Sequence, residues 1–212
     1  MESSSAGQTS VIPFGETISL DRYVHEIESL SKGLITKQAI ADLVLRYRIP
    51  DEDLARHKSW NPARHTRNLI FRNSMIELML ICWNSGTVTP LHTHNGQLGW
   101  MVVVEGTLVV ENYRMKHCNK PENQQVVGID CVAGATEIEM ELLNRETVTP
   151  WSALNTVDKT QTIHRILNPP EHGGPAVSLH IYSQPIDSCV VFDMEQQRCA
   201  RRDLSYDTKP ES

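Results

Sequence analysis

Two histidines one residue apart, His92 and His94, lie in the frame Gly86-x5-His92-x-His94-x4-Gly99-x6-Gly106. This spacing limits the possible folds more than any other feature of the chain. Residues i and i+2 of a β-strand project from the same face, so a strand through this segment aims both imidazoles at one point. Imidazole is a common ligand of iron, zinc, copper and nickel. Met101–Val104 and Thr107–Val110 are rich in β-branched residues and read as strand. Gly86 and Gly106 mark turns on either side. The pattern therefore predicts two imidazoles facing a sheet interior, not two surface histidines.

Helical periodicity precedes this segment. Leu20, Tyr23, Val24, Ile27 and Leu30 form one apolar stripe. Ser19 is the expected N-cap, Asp21 suits the first turn, and Gly33 is the expected stop. Thr36 is the expected cap of a second helix whose Ile40, Leu43, Val44 and Tyr47 face one way and which Pro50 ends. Asp51-Glu-Asp-Leu-Ala reads as a third, short turn.

From about residue 63 the period changes. Ile76, Leu78 and Leu80 alternate with Glu77, Met79 and Ile81, which predicts a strand with one strongly buried face. Further strands are expected at 109–115, 125–130, 136–142, 162–167 and 176–182, separated by loops rich in Gly, Pro and Asn. Short, regularly spaced strands point to a sandwich or barrel. The expected organisation is a disordered segment at 1–18 and one domain over 19–200. Within that domain, 19–58 is helical and 63–195 is a β-barrel; residues 201–212 form a flexible polar tail. A chain of 212 residues suits a single domain.

A net charge of −6 argues against nucleic acid as a partner. No apolar window of about eighteen residues predicts a membrane span. The polar N-terminus lacks the basic and apolar regions of a secretory signal. Five scattered cysteines without a CxxC fit a reducing cytoplasm better than a disulfide scaffold. The expectation is a cytoplasmic protein, monomeric or weakly homo-oligomeric.

A metal needs more than two protein ligands. His164, in Thr162-Ile-His-Arg-Ile-Leu-Asn168, is the best third candidate because its strand alternates and Ile166 shares its face. The frame around His92 and His94 resembles the first motif of the cupins, and His164-x3-Asn168 resembles the end of the second. The resemblance implies a mainly β, cupin-type double-stranded β-helix barrel, jelly-roll-like, with a metal in its mouth. The first motif usually carries a glutamate ligand about five residues after the second histidine. Gly99 stands there, which leaves three neutral imidazoles.

Three further segments narrow the resemblance to the cysteine dioxygenases, and within them to the bacterial type. His65-Thr-Arg67-Asn-Leu69 matches the family's arginine segment, Cys82-Trp83 precedes the metal motif, and Ser178-Leu-His180-Ile-Tyr182 matches its Ser-x-His-x-Tyr strand. The likeness spans roughly residues 60 to 195. It implies Fe(II) held by His92, His94 and His164, with Arg67 on the substrate carboxylate. It also implies a relay of Ser178, His180 and Tyr182 ending in a tyrosine hydroxyl near metal and substrate. The implied reaction is oxidation of L-cysteine by O2 to cysteine sulfinic acid. Arg67 favours cysteine over 3-mercaptopropionate, because the branch acting on the latter resembles this chain but carries glutamine in its place.

The chain departs from the family pattern in two places. Animal members have, at the position of Gly99, a cysteine crosslinked to the tyrosine matching Tyr182. The proline-and-glycine signature before the third histidine is replaced by Asn155-Thr-Val-Asp-Lys-Thr-Gln161. Trp83 and Trp100 read as barrel packing, and Cys189 as core or loop. His25, His57, His117 and His172 read as surface residues. His65 stands where many family members have tyrosine and is a candidate for the substrate side. The rivals are a dioxygenase for another small thiol and a non-catalytic metal-binding cupin sensor.

Overall fold

The computed structural model describes residues 15–33, 35–94, 96–119, 137–152, 154–157 and 163–210. Three helices come first: α1 (Leu20–Ser31), α2 (Lys37–Arg46) and α3 (Asp51–Ala55). Ser19 caps α1, its hydroxyl accepting from Arg22 N at 3.3 Å, and Thr36 caps α2, accepting from Ala39 N at 3.1 Å. The stripe residues Leu20, Tyr23, Ile27, Ile40, Leu43 and Val44 are all buried. Tyr47 leaves the helix. It opens the short strand β2 (Tyr47–Arg48), which pairs in parallel with β1 (Glu16–Thr17). Residues 15–18, expected to be disordered, are thus tied down: Gly15 N donates to Leu45 O and Ile18 N to Arg48 O. The rest of the expected disordered segment lies outside the described residues, as does the strand expected at 125–130.

The remaining strands are β3 (Thr66–Arg72), β4 (Ile76–Trp83), β5 (Leu91–His92), β6 (Leu98–Glu105), β7 (Leu108–Cys118), β8 (Ile138–Val148), β9 (Asn155–Val157), β10 (Ile163–Leu167), β11 (Ala176–Ser183), β12 (Ser188–Asp193) and β13 (Arg198–Asp203). One sheet runs β3-β4-β11-β6-β9 and the other β13-β12-β5-β10-β7-β8. Met79, Ile81, Met101 and Val103 of the first sheet pack with Val110, Ile166 and Val191 of the second. The two antiparallel sheets therefore face one another, as the expected double-stranded β-helix requires.

Both faces of β4 are buried, whereas alternation predicted one. Ile76, Leu78, Leu80 and Cys82 join the cluster that includes the helical stripes, while Met79, Ile81 and Trp83 point into the barrel. The helices cover the outer face of the five-stranded sheet, so no face of β4 meets water. Truncating the fully buried Leu80 to alanine would cost about 2–5 kcal/mol.

The expected flexible tail is the clearest difference. Arg198–Asp203 pairs with β12 as an edge strand, and the residues after it run beside β3. Leu69 N donates to Thr208 O at 3.0 Å, and Asp207 N donates to Arg67 O at 2.7 Å. Polar composition suggested a solvated end, but backbone hydrogen bonds and two anchors, Leu204 and Tyr206 packed on the core, hold it. Cys82, Cys118 and Cys189 are buried, whereas Cys199 is disulfide-bonded, a bond that the scattered cysteine spacing did not point to. No described helix is long and apolar enough to cross a membrane.

Candidate metal centre and active site

Strand order brings the three histidines together. β10 lies between β5 and β7, which sets His164 directly opposite His92. His94 follows two residues after His92, just beyond the end of β5. The ring centroids of His92, His94 and His164 lie 5.1, 4.6 and 4.7 Å apart, and one ligand atom from each lies within 4.8 Å of the others. His92 Nε2 and His164 Nε2 are 3.2 Å apart.

The protonation of the trio fits a cation. Burial pushes the imidazoles of His94 and His164 well below the ordinary histidine range, and burial also lowers His92. All three are therefore neutral near pH 7 and can offer lone pairs. His92 Nδ1 lies 2.9 Å from Pro90 O, so it carries the proton, donates to that carbonyl and leaves Nε2 as the acceptor end. Two acceptor nitrogens 3.2 Å apart repel unless a proton or a cation lies between them. Nitrogens about 2.1 Å from a shared ion sit near this separation. The donor set of imidazoles without a carboxylate suits iron, zinc, copper or nickel, and His92, His94 and His164 are the residues that would hold the ion.

The trio lines a cavity of about 220 Å³ together with His65, Arg67, Trp83, His180, Tyr182 and Cys189. That is below the roughly 300–1,000 Å³ of drug-sized sites, so it suits a small metabolite. Arg67 is 8% exposed. Its Nη2 donates to the fully buried Glu77 Oε1 at 3.2 Å, while its buried Nη1 has no hydrogen-bond partner among the described residues. An unmet buried guanidinium donor is costly, and a ligand anion in the cavity would relieve that cost.

Ser178, His180 and Tyr182 share the inward face of β11, as their i, i+2, i+4 spacing predicts. Trp83 Nε1 donates to Ser178 Oγ at 2.8 Å, Ser178 Oγ lies 2.8 Å from His180 Nε2, and His180 Nδ1 lies 3.2 Å from the Tyr182 hydroxyl. The direction of this chain follows from its first member. Indole N–H can only donate and takes one lone pair of the Ser178 oxygen; among the described residues the Ser178 hydrogen has no acceptor other than His180 Nε2, so it goes there. Burial pushes His180 down to about 3, so its ring is neutral and the single proton sits on Nδ1. Nδ1–H then donates to the Tyr182 oxygen, which leaves the phenol hydrogen free for the cavity. Burial raises the Tyr182 pKa, which keeps the phenol protonated.

Trp83, read as packing, supplies the first donor of the relay. His65 lines the cavity, stacks on Trp83 at 5.0 Å and is held neutral near 4, mainly by burial. Trp100 is fully buried, in agreement with a packing role. Cys189 lies in the cavity wall, where burial raises its thiol pKa. His25, His57, His117 and His172 are not among the cavity residues. Glu77, Leu204 and Tyr206 were missed. The only signal for Glu77 was an acid inside an otherwise apolar strand, and the tail offered none.

Gly99 faces Tyr182 across β6 and β11. A Cβ there would come within 2.9 Å of Tyr182 Cε1 and 2.5 Å of Val157 Cγ2. The tyrosine ring thus fills the space that a side chain at this position would occupy.

A family model described as cysteine dioxygenase type I matches residues 7–195. Cysteine dioxygenase type 1 of Homo sapiens is 23% identical over 203 residues, covering 95% of this chain and 91% of the human protein. The Danio rerio protein of that name is 24% identical over 192 residues, covering 88% and 83%, and the Rattus norvegicus protein is 23% identical over 191 residues, covering 90% and 85%. With a converging three-histidine cluster and a family match over most of its length, the chain belongs to the cysteine dioxygenase type I family and is an oxidoreductase of the dioxygenase kind.

Proposed function

We propose that this protein is an Fe(II)-dependent thiol dioxygenase that converts L-cysteine and O2 to cysteine sulfinic acid. The observation that carries the choice of substrate is the buried, unpartnered Nη1 of Arg67 in the wall of the cavity that the three imidazoles share. A guanidinium stays charged at any working pH and matches a carboxylate in shape and hydrogen-bond geometry. The family relationship and the three neutral histidine donors support iron. When bound at His92, His94 and His164, ferrous iron would supply a Lewis-acidic, redox-active centre that favours the thiolate over the thiol and lets O2 react with sulfur.

The chain's own residues do the rest. Arg67 binds the substrate carboxylate and fixes which end of the molecule faces the histidines, removing much of the entropic cost of alignment. His65, Trp83 and Ile186 line the cavity and limit water around the sulfur. Ser178 and His180 hold the Tyr182 oxygen from behind, so its hydrogen points into the cavity as a donor to charge developing on the substrate. The two oxygen atoms both end on sulfur, and the electrons that sulfur gives up are those the oxygen atoms gain. No external reductant is needed.

The test is anaerobic loading with Fe(II), followed by L-cysteine and O2, with oxygen uptake and sulfinate measured side by side with 3-mercaptopropionate. One sulfinate formed per O2 consumed, with cysteine preferred, supports the proposal. Iron binding without any sulfinate, or a clear preference for 3-mercaptopropionate, overturns it.

A further inference from the structure

The last part of the chain lies beyond residue 195, where the family match ends, yet it packs on the strand that carries Arg67. Asp207 is the anchor. Its Oδ2 accepts from Arg67 N at 2.9 Å, its carboxylate pairs with Arg64, and its own N–H donates to Arg67 O at 2.7 Å. These bonds set the neighbouring Tyr206 beside the arginine, with Arg67 Cζ 5.5 Å from the ring centroid. The Tyr206 hydroxyl accepts from Arg72 Nη1 at 2.6 Å, which pins the ring. Below the guanidinium, Glu77 accepts from Arg67 Nη2 through one oxygen and from Ile186 N through the other. Arg67 is therefore gripped by a carboxylate and an aromatic ring, while its buried Nη1 has no partner among the described residues.

An arginine side chain has many rotamers, and a binding site that orders it beforehand avoids that cost when ligand arrives. Strand β3 alone would not order it. The guanidinium needs a partner on its face as well as at its edge, and a tyrosine ring supplies the first through its quadrupole. We propose that Tyr206 is a positioning residue that holds the Arg67 guanidinium against Glu77, so that the C-terminal strap sets the affinity for the substrate carboxylate. This rests on the assignment of Arg67 to that carboxylate.

Steady-state oxygen uptake by the Fe(II)-loaded full-length protein tests it, with KM and kcat for L-cysteine separated. Tyr206→Leu should raise KM about three- to thirtyfold with kcat changed less than about threefold. Tyr206→Phe keeps the ring and should restore KM to within about twofold of the parent. In an Arg67→Ala background, adding Tyr206→Leu should change nothing further, because the ring acts through the arginine. Tyr206→Gln serves the same comparison if the leucine variant is insoluble. Equal KM values for the Leu and Phe variants, or loss of iron from both non-aromatic variants, overturn the proposal. If Arg67→Ala itself leaves KM unchanged, the carboxylate assignment falls; if only Tyr206→Leu does, that assignment stands and the role of the strap falls.

Discussion

Replacing Gly99 by alanine probes the tightest contact in the site. Gly99 lies on β6 between Val157 of the edge strand β9 and Tyr182 of the inner strand β11. The added methyl would sit 2.5 Å from Val157 Cγ2 and 2.9 Å from Tyr182 Cε1, where carbon atoms in contact prefer about 3.5–4.0 Å. Both neighbours must retreat by roughly 1 Å. β9 has three residues and pairs with no strand but β6 among the described residues, so it can yield. Tyr182 has less freedom, because its hydroxyl is tied to His180 and its ring stacks on His94 with centroids 5.7 Å apart. Overpacking of this kind costs about 1–3 kcal/mol. At about 2–4 °C per kcal/mol for a chain of this size, Tm should fall by roughly 2–12 °C. The turnover number for cysteine should also fall as the phenol shifts, while KM, set by Arg67, changes little. Calorimetric melts of the iron-loaded protein and steady-state oxygen uptake measure both. Adding Val157→Ala removes the nearer clash and should recover part of the Tm but not kcat. A Gly99→Ala protein melting within about 1 °C of the parent at parental kcat would refute the packing of Tyr182 against β6 and the role built on it.

Trp83→Phe removes the donor that orients Ser178, so kcat should fall about tenfold with iron content unchanged; a parental kcat would show that the relay does not start at the indole. With glycine at 99, peptide mapping should find Tyr182 at its unmodified mass, and a hydrogen-depleted crosslinked peptide would contradict this. Asp207 titrates below the ordinary carboxylate range, chiefly through its hydrogen bond with Arg64. Its folded pKa is depressed, so its contribution to stability is present above the unfolded value and is lost as pH falls through the folded one. Asp207→Asn should therefore show a smaller loss of urea midpoint between neutral pH and pH 3 than the parent, and an identical loss would remove the strap from the account of acid stability.

Local patterns in the chain carried a good deal of the fold. Ser19 and Thr36 cap the helices they were expected to cap, because capping needs only a side-chain oxygen a few residues from the first free amides. The period-two rows of β4 and β11 also put alternating residues on opposite faces. What alternation could not say is what each face meets. The row Ile76, Leu78, Leu80 and the row Met79, Ile81, Trp83 are both buried, since helices cover one side and the second sheet the other. Composition misled at the tail, where a polar stretch is held by backbone pairing to β3.

The amino-acid sequence by itself determined the helices capped by Ser19 and Thr36, the strand character of β4 and β11, the common face of Ser178, His180 and Tyr182, and the absence of a carboxylate and a thiol at Gly99. Those are consequences of backbone geometry over a few residues. Only the tertiary structure decided that His164 stands opposite His92 across 72 residues of chain, that Glu77 and Tyr206 enclose Arg67, and that the buried Nη1 of that arginine is unmatched among the described residues. Such facts depend on which strands become neighbours. That choice is made by burying apolar faces along the whole chain, and no local stretch encodes it.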